Sequence, residues 1–217
     1  MILLRLVRLR KENVHATELH PLTASHIPHA AMLLARAFQD DPFYTCVLPD
    51  AEKRAQRLPW LQERLLRYGL RYGTVYTTPS VEGVAIWFGP QHPTLQLLGV
   101  LQTGLFLLPL HLRLAEFERG LRLSAYADRL HKSAITGRQL YLMQLGVEPA
   151  LQGQGIGSAL MQMLKALADR QALTCYLETN NEKNLPLYEQ NGFAVVSHGQ
   201  AIPGGAHTWA MLRKPAS

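Results

Sequence analysis

Cysteine is scarce: Cys46 and Cys175 are the only two, far apart, with no C-x-x-C pair and no paired-histidine spacing. That excludes a disulfide-built scaffold, argues against a zinc site, and suits reduced thiols in the cytoplasm. Internal repeats and low-complexity blocks are absent, and no linker divides the chain. One α/β domain is the simplest organisation. The first residues, MILLRLVRLRKENVHATELHPL, carry no uninterrupted apolar stretch after their basic residues, which argues against a secretory signal. Residues 1–15 read as a leader or extra N-terminal segment, with an amphipathic targeting peptide as the alternative, ahead of a domain over 16–217. Asp, Glu, Lys and Arg are all missing from 83–112, long enough for a membrane span. Gln91, Gln96, Gln102, Pro109 and His111 argue against one, and a buried or pocket-lining helix is expected instead.

Apolar residues make up 47% of the 217 and charged residues 18%, so the chain buries a real core and wholesale disorder is excluded. The net charge of +6 suits an anionic partner, whether a phosphate-bearing cofactor, nucleic acid or a membrane surface. The basic residues are scattered without an aromatic-interleaved patch, which argues against nucleic acid.

Apolar spacing places a helix from Thr23 or Ser25 to Phe38, broken at Pro42, and a second over Glu52 to Tyr72. Two strands around Pro79–Ser80 follow, then a charged amphipathic helix over 116–133. QLYLMQLGV (139–147) is a strong strand and Leu151 to about Arg170 a helix. After these come a strand at LTCYLETN, a short helix stopped by Gly192, and strands at GFAVVSH and HTWAMLRK.

Between the strand ending at Val147 and the following helix lies LQGQGIGSAL, with Gly153, Gly155 and Gly157 close together. Glycine permits positive φ and close backbone approach. Free N–H groups and a helix dipole converging there make an anion site. A ligand-free tight turn is one alternative. A dinucleotide fingerprint is another, with Glu178 about twenty residues on as its ribose acid. Its third glycine slot falls on Ser158, however, and too little chain remains for a two-halved sheet.

Gln152-Gly153-Gln154-Gly155-Ile156-Gly157 resembles the Gln/Arg-x-x-Gly-x-Gly/Ala acyl-CoA loop of the GNAT N-acyltransferase superfamily. LYLMQLGVEPALQGQGIGSALM resembles that superfamily's fourth strand and third helix. CYLETNNEKNLPLYEQNGFAVV resembles its fifth strand, Asn-bearing turn, Tyr-bearing helix and the start of its sixth strand. The last run, with FQDDPF and WAMLR, is similar to the puromycin acetyltransferase-like branch. Residues 139–193 carry the specific match.

The resemblance implies an α/β fold: a single GNAT-like domain whose mixed central sheet of about six or seven strands is flanked by helices. It implies an N-acetyltransferase moving an acetyl group from acetyl-CoA directly to a primary amine of a small molecule or peptide, through a ternary complex. The alternative is a non-catalytic acyl-CoA-binding sensor. The backbone of Gln152, Gly153, Gln154, Gly155, Ile156 and Gly157, with the Ser158 hydroxyl, would hold the cofactor pyrophosphate. Leu145, Gly146 and Val147 would bind the pantetheine arm by their backbone and face a developing oxyanion. Asn184 matches the side chain that contacts pantetheine, with a helix N-cap as its other reading. Tyr188 matches the general acid, with a core tyrosine as its other reading. Gln144 cannot take a proton, so Glu178 is the carboxylate candidate for the base, beside a water chain or an already neutral acceptor. Asp40 and Asp41 could attract a cationic amine or merely form a solvated turn. The segment 91–138 is expected as a helical insertion lining the acceptor pocket of a monomer or homodimer.

Overall fold

The computed structural model describes residues 18–91 and 97–216, so the expected leader over 1–15 lies outside the described residues. Apolar alternation produces seven strands: β1 (His20–Pro21), β2 (Thr74–Thr77), β3 (Gly83–Phe88), β4 (Gln139–Val147), β5 (Thr174–Thr179), β6 (Ala194–Gln200) and β7 (His207–Arg213). They form one mixed sheet in the order β1-β2-β3-β4-β5-β7-β6. Only β4 and β5 run parallel; every other neighbouring pair is antiparallel.

Among the described residues, eight helices follow the 3.6-residue period: α1 (Ile27–Ala37), α2 (Pro42–Val47), α3 (Ala51–Tyr72), α4 (Leu97–Gln102), α5 (Leu108–His111), α6 (Leu114–Ala134), α7 (Ile156–Arg170) and α8 (Leu185–Gln190). On one face of the sheet, Leu160, Met161 and Leu164 of α7 pack against Leu140, Leu142 and Leu177. On the other, Leu33 and Leu34 of α1 and Leu66 of α3 pack against Val84, Ile86 and Phe88. Covered from both sides, β3 is buried along its whole length. Each of these fully buried aliphatic side chains contributes about 1.5–3 kcal/mol of burial. A two-pronged ion pair from Arg213 to Asp169, at 2.8 and 2.9 Å, ties β7 to the end of α7.

Three expectations change. Pro42 does not merely break the first helix but opens α2, because proline suits the first helical turn and the Asp41 carboxylate caps it by accepting from Phe43 N at 2.9 Å. The helix expected from Leu151 begins only at Ile156, since Gly153 and Gly155 sit at φ +78° and +88°. The apolar run within 94–112 is no continuous helix. Gly104, at φ +80°, ends its first piece and Pro109 opens the next. Leu101, Phe106 and Leu110 stay exposed there. Among the described residues, no helix is long and apolar enough to cross a membrane.

The feature that positions the site is where β4 and β5 part. Their pairing runs from Gln139–Thr174 to Leu142–Leu177 and stops. Beyond Leu142, β4 pairs with β3 alone, and the register jumps there: Trp87 faces Leu142 but Ile86 faces Gln144. Met143 is the extra residue of a bulge, which re-aims the following side chains. The edge of β4 from Met143 to Val147 therefore meets an opening wedge rather than a strand.

Candidate active site

A cavity of about 610 Å³ fills the wedge, within the size range of small-ligand sites. Leu145 of β4, Glu178 of β5, Asn184 before α8 and Tyr188 of α8 all line it. Four of the sequence-predicted site residues are thus brought together from segments more than thirty residues apart.

The glycine loop sits at the outer end of the same wedge and does not line the cavity. A Cβ added at Gly157 would lie 3.7 Å from side-chain atoms of both Val147 and Leu187, and 4.0 Å from Leu145, so the start of α7 abuts β4 and α8 together. A Cβ at Gly153 would meet nothing within 4 Å, leaving its backbone open to approach. No acidic residue stands in the first turn of α7, and no side chain caps it. An uncapped helix start without acid beside it, at the mouth of an unpaired strand edge, fits the phosphates and amide-bearing arm of a coenzyme A thioester. The Gln152 side chain turns inward and donates to the Val147 carbonyl at 3.2 Å, fastening the loop to the strand end. Gly146 has a separate packing reason: a Cβ there would come within 2.5 Å of Leu34, so glycine lets α1 press onto β4.

Asn184 occupies the N-cap position of α8 but caps nothing with its side chain, which leaves its amide to the cavity. Tyr188 packs edge-to-face on Phe193 with ring centroids 6.2 Å apart. Burial, and then the charge of Asp41, push its phenol well above the usual tyrosine value, so it keeps its proton. Burial likewise pushes the Glu178 carboxyl up to about 7, against the stabilising pull of the Tyr141 and Tyr176 phenols it faces.

Asp40 and Asp41 separate sharply. Asp40 is almost fully exposed and does not line the cavity. Asp41 does line it, and burial lifts its carboxyl to about 6 despite the backbone N–H groups of Phe43 and Tyr44. The buried Arg54 guanidinium holds this corner by donating to the carbonyls of Gln39 and Leu48.

Sequence reasoning expected the segment 91–138 to line the acceptor pocket but named none of the residues that form this far wall. Leu121, Ser124, Asp128, His131 and Lys132 all face the cavity from α6, whereas no described residue between 97 and 113 does. Their spacing, one stripe at three- and four-residue steps, was available in the sequence, but its mixed polarity hides it from a search for apolar faces. Tyr44 of α2 and Phe43 beside it were missed as well. The lining holds three carboxyls, Asp41, Asp128 and Glu178, against Lys132 and a His131 whose imidazole burial holds below its usual value. A chain of net charge +6 thus carries an acid-rich cavity. Among the described residues, no cluster of His, Cys, Asp and Glu could hold a metal ion.

The acetyltransferase (GNAT) domain family matches residues 120–195, which span α6 through the first strand residues after α8. An uncharacterized N-acetyltransferase of Schizosaccharomyces pombe is 27% identical over 172 residues, covering 76% of this chain and 69% of that protein. Among solved structures, the arylalkylamine N-acetyltransferase 2 of Aedes aegypti superposes with a TM-score of 0.66 at 13% identity, covering 92% of this chain and 99% of the other. A Corynebacterium glutamicum structure described as histone acetyltransferase HPA2 and related acetyltransferase gives 0.63 at 19% identity, covering 92% and 96%. The last two speak for the fold alone. The GNAT domain match lies across the wedge, the loop and α8, and together with the N-acetyltransferase relative it supports an acetyl-CoA-dependent acetyltransferase.

Proposed function

We propose that the acceptor is the primary amine of a small cationic molecule with an apolar or aromatic body, acetylated directly in a ternary complex. The observation that carries this reading is the cavity itself. Three carboxyls line it together with Phe38, Phe43, Tyr44, Phe88 and Tyr141, and α6 forms one wall. Acid groups in a low-dielectric pocket attract an ammonium strongly, and aromatic faces add cation–π attraction.

The roles divide along the wedge. Backbone N–H groups of the 152–157 loop and the Ser158 hydroxyl hold the pyrophosphate, and the backbone of Leu145 to Val147 with the Asn184 amide orients the pantetheine arm. Acetyl-CoA supplies an acyl group activated as a thioester. Tyr188 holds at its Oη the proton that a departing thiolate takes. Glu178 receives the proton that the acceptor ammonium must lose before its nitrogen can attack, and Asp41 is the second carboxyl within the same cavity. A base that titrates near 7 is half ionised at neutral pH and suited to the task. The free thiols Cys46 and Cys175 suit a reducing, cytoplasmic setting. Within the segment 91–138, α6 is the acceptor-facing part.

Thiol release from acetyl-CoA, measured over a panel of phenethylamine, tryptamine, spermidine, a free-N-terminus dipeptide and neutral aniline, tests the reading. Turnover is expected to favour the aromatic ammonium compounds over aniline and the dipeptide. Acetyl-CoA binding without turnover of any panel member would make the chain an acyl-CoA-binding sensor. Preference for the dipeptide would place the acceptor among peptides.

A further inference from the structure

We infer that Gln144 receives the acceptor: its side-chain carbonyl takes a hydrogen bond from the acceptor's amine N–H and aims the nitrogen for transfer. The inference rests on the amine acceptor proposed above and adds a residue to which the sequence assigns no role.

Gln144 is the first residue after the Met143 bulge. Its side chain turns toward α2 and α3, where its Nε2 donates to Gln62 Oε1 at 3.0 Å and to Tyr44 Oη at 3.2 Å. Gln62 Nε2 in turn donates to Tyr44 Oη at 3.1 Å. The three side chains lock one another, since Gln62 is fully buried and Tyr44 nearly so. Both N–H groups of the Gln144 amide are therefore committed. Its Oε1 is not: that atom is buried and without a partner, on a residue only 9% exposed that lines the cavity.

A buried carbonyl left unpaired costs free energy that a folded protein normally avoids. Here the orphan belongs to a residue that lines the cavity beside the unpaired edge of β4, on the wall that also carries Leu145. A ligand placed there must bring an N–H or O–H donor to satisfy it, and a primary amine brings two even after losing its proton. A neutral amide suits this position because it holds the nitrogen without competing for the proton. Deprotonation is left to the carboxyls of Glu178 and Asp41. The Tyr44–Gln62 lock then acts as a positioning device, fixing the amide plane before the acceptor arrives.

Steady-state kinetics on Gln144→Leu, Gln144→Met and Gln144→Glu, with phenethylamine and spermidine as varied acceptors, tests this. Leu and Met remove the oxygen at similar volume and should raise the KM for the amine about tenfold or more, the effect of losing one hydrogen bond to a charged or polarised donor. The KM for acetyl-CoA should not move. Glu keeps an acceptor oxygen in place and should restore amine binding. An unchanged amine KM in both Leu and Met variants, with only a lower melting temperature, would reduce Gln144 to a structural tie and overturn the inference. Failure of Glu to restore binding would overturn it too, because the free end would then have to be a donor. Wild-type protein that acetylates neither amine defeats the parent reading and this one together, whereas active wild type with indifferent variants defeats this one alone.

Discussion

The two halves of the wedge are built by opposite rules. On the donor side, one continuous stretch of chain supplies the strand edge, the glycine loop and the start of α7. Its chemistry is backbone N–H groups made accessible by positive φ at Gly153 and Gly155. On the acceptor side, four separate elements lend five side chains: Asp41 at the N-cap of α2, Tyr44 within it, Gln144 on β4, Glu178 on β5 and Asp128 on α6. Backbone chemistry tolerates almost any side chain that does not block it, so the donor half can stay constant while the acceptor half changes. The difference explains how one fold can present the same thioester to unrelated amines.

The sharpest break in this comparison is expected at Tyr188, the one side chain assigned to leaving-group chemistry. Tyr188→Phe should lower kcat by roughly 10²–10⁴-fold, the usual worth of a positioned general acid, with the KM values for acetyl-CoA and amine little changed. Stopped-flow thiol release across pH checks it; unchanged turnover would return Tyr188 to the core tyrosines around Phe193.

Glu178→Gln should act on the acceptor half in two ways. The first is a loss of roughly 10²-fold in kcat/KM at neutral pH, together with loss of the rise in rate centred near pH 7 that the wild-type carboxyl imposes. If that rise persists at about pH 6 instead, Asp41 is the base. The second effect is on stability. Burial raises this carboxyl from 4.5 to about 7, so its ionised form destabilises the folded protein, not at all below pH 4.5 and fully above about 7. The Gln variant should therefore be more stable than wild type by about 3 kcal/mol at pH 8 and close to it at pH 4.5. Thermal unfolding at the two pH values reads the difference, and a variant equally stable at both would deny the carboxyl its burial.

A smaller and complementary effect belongs to the donor half. Gly155→Ala asks alanine to hold φ near +88° at the N-cap of α7, at a cost of about 1–2 kcal/mol. Some of this should appear as roughly fivefold weaker acetyl-CoA binding by calorimetry, with the amine KM unmoved. A change in amine KM instead would show that the two halves are not separable.

How legible the protein was follows from the same division. The strand at 139–147 and the glycine loop could be found in the sequence because local backbone geometry demands specific residues at fixed spacing, and Asn184 and Tyr188 because they match a family's motif. The start of α7 was misplaced by five residues, since a helical apolar period continues through glycines whose φ values forbid helix. Asp41 read as half of a solvated acidic pair, and only packing distinguishes it from Asp40: one carboxyl caps a helix inside the wall while the other points to solvent. Gln144 was legible only as a strand residue that cannot take a proton. A glutamine on a strand is unremarkable until a bulge turns it toward Tyr44, 100 positions away in the chain, and Gln62, 82 positions away.

The sequence by itself determined the glycine loop and the order of strands and helices around it, because each depends on residues adjacent in the chain. Tertiary structure alone decided the acceptor cavity. Its acid-rich lining arises from side chains far apart in sequence, brought together by the parting of β4 from β5 and the passage of α6 across the gap. Their altered proton affinities come from burial, a property no single segment possesses.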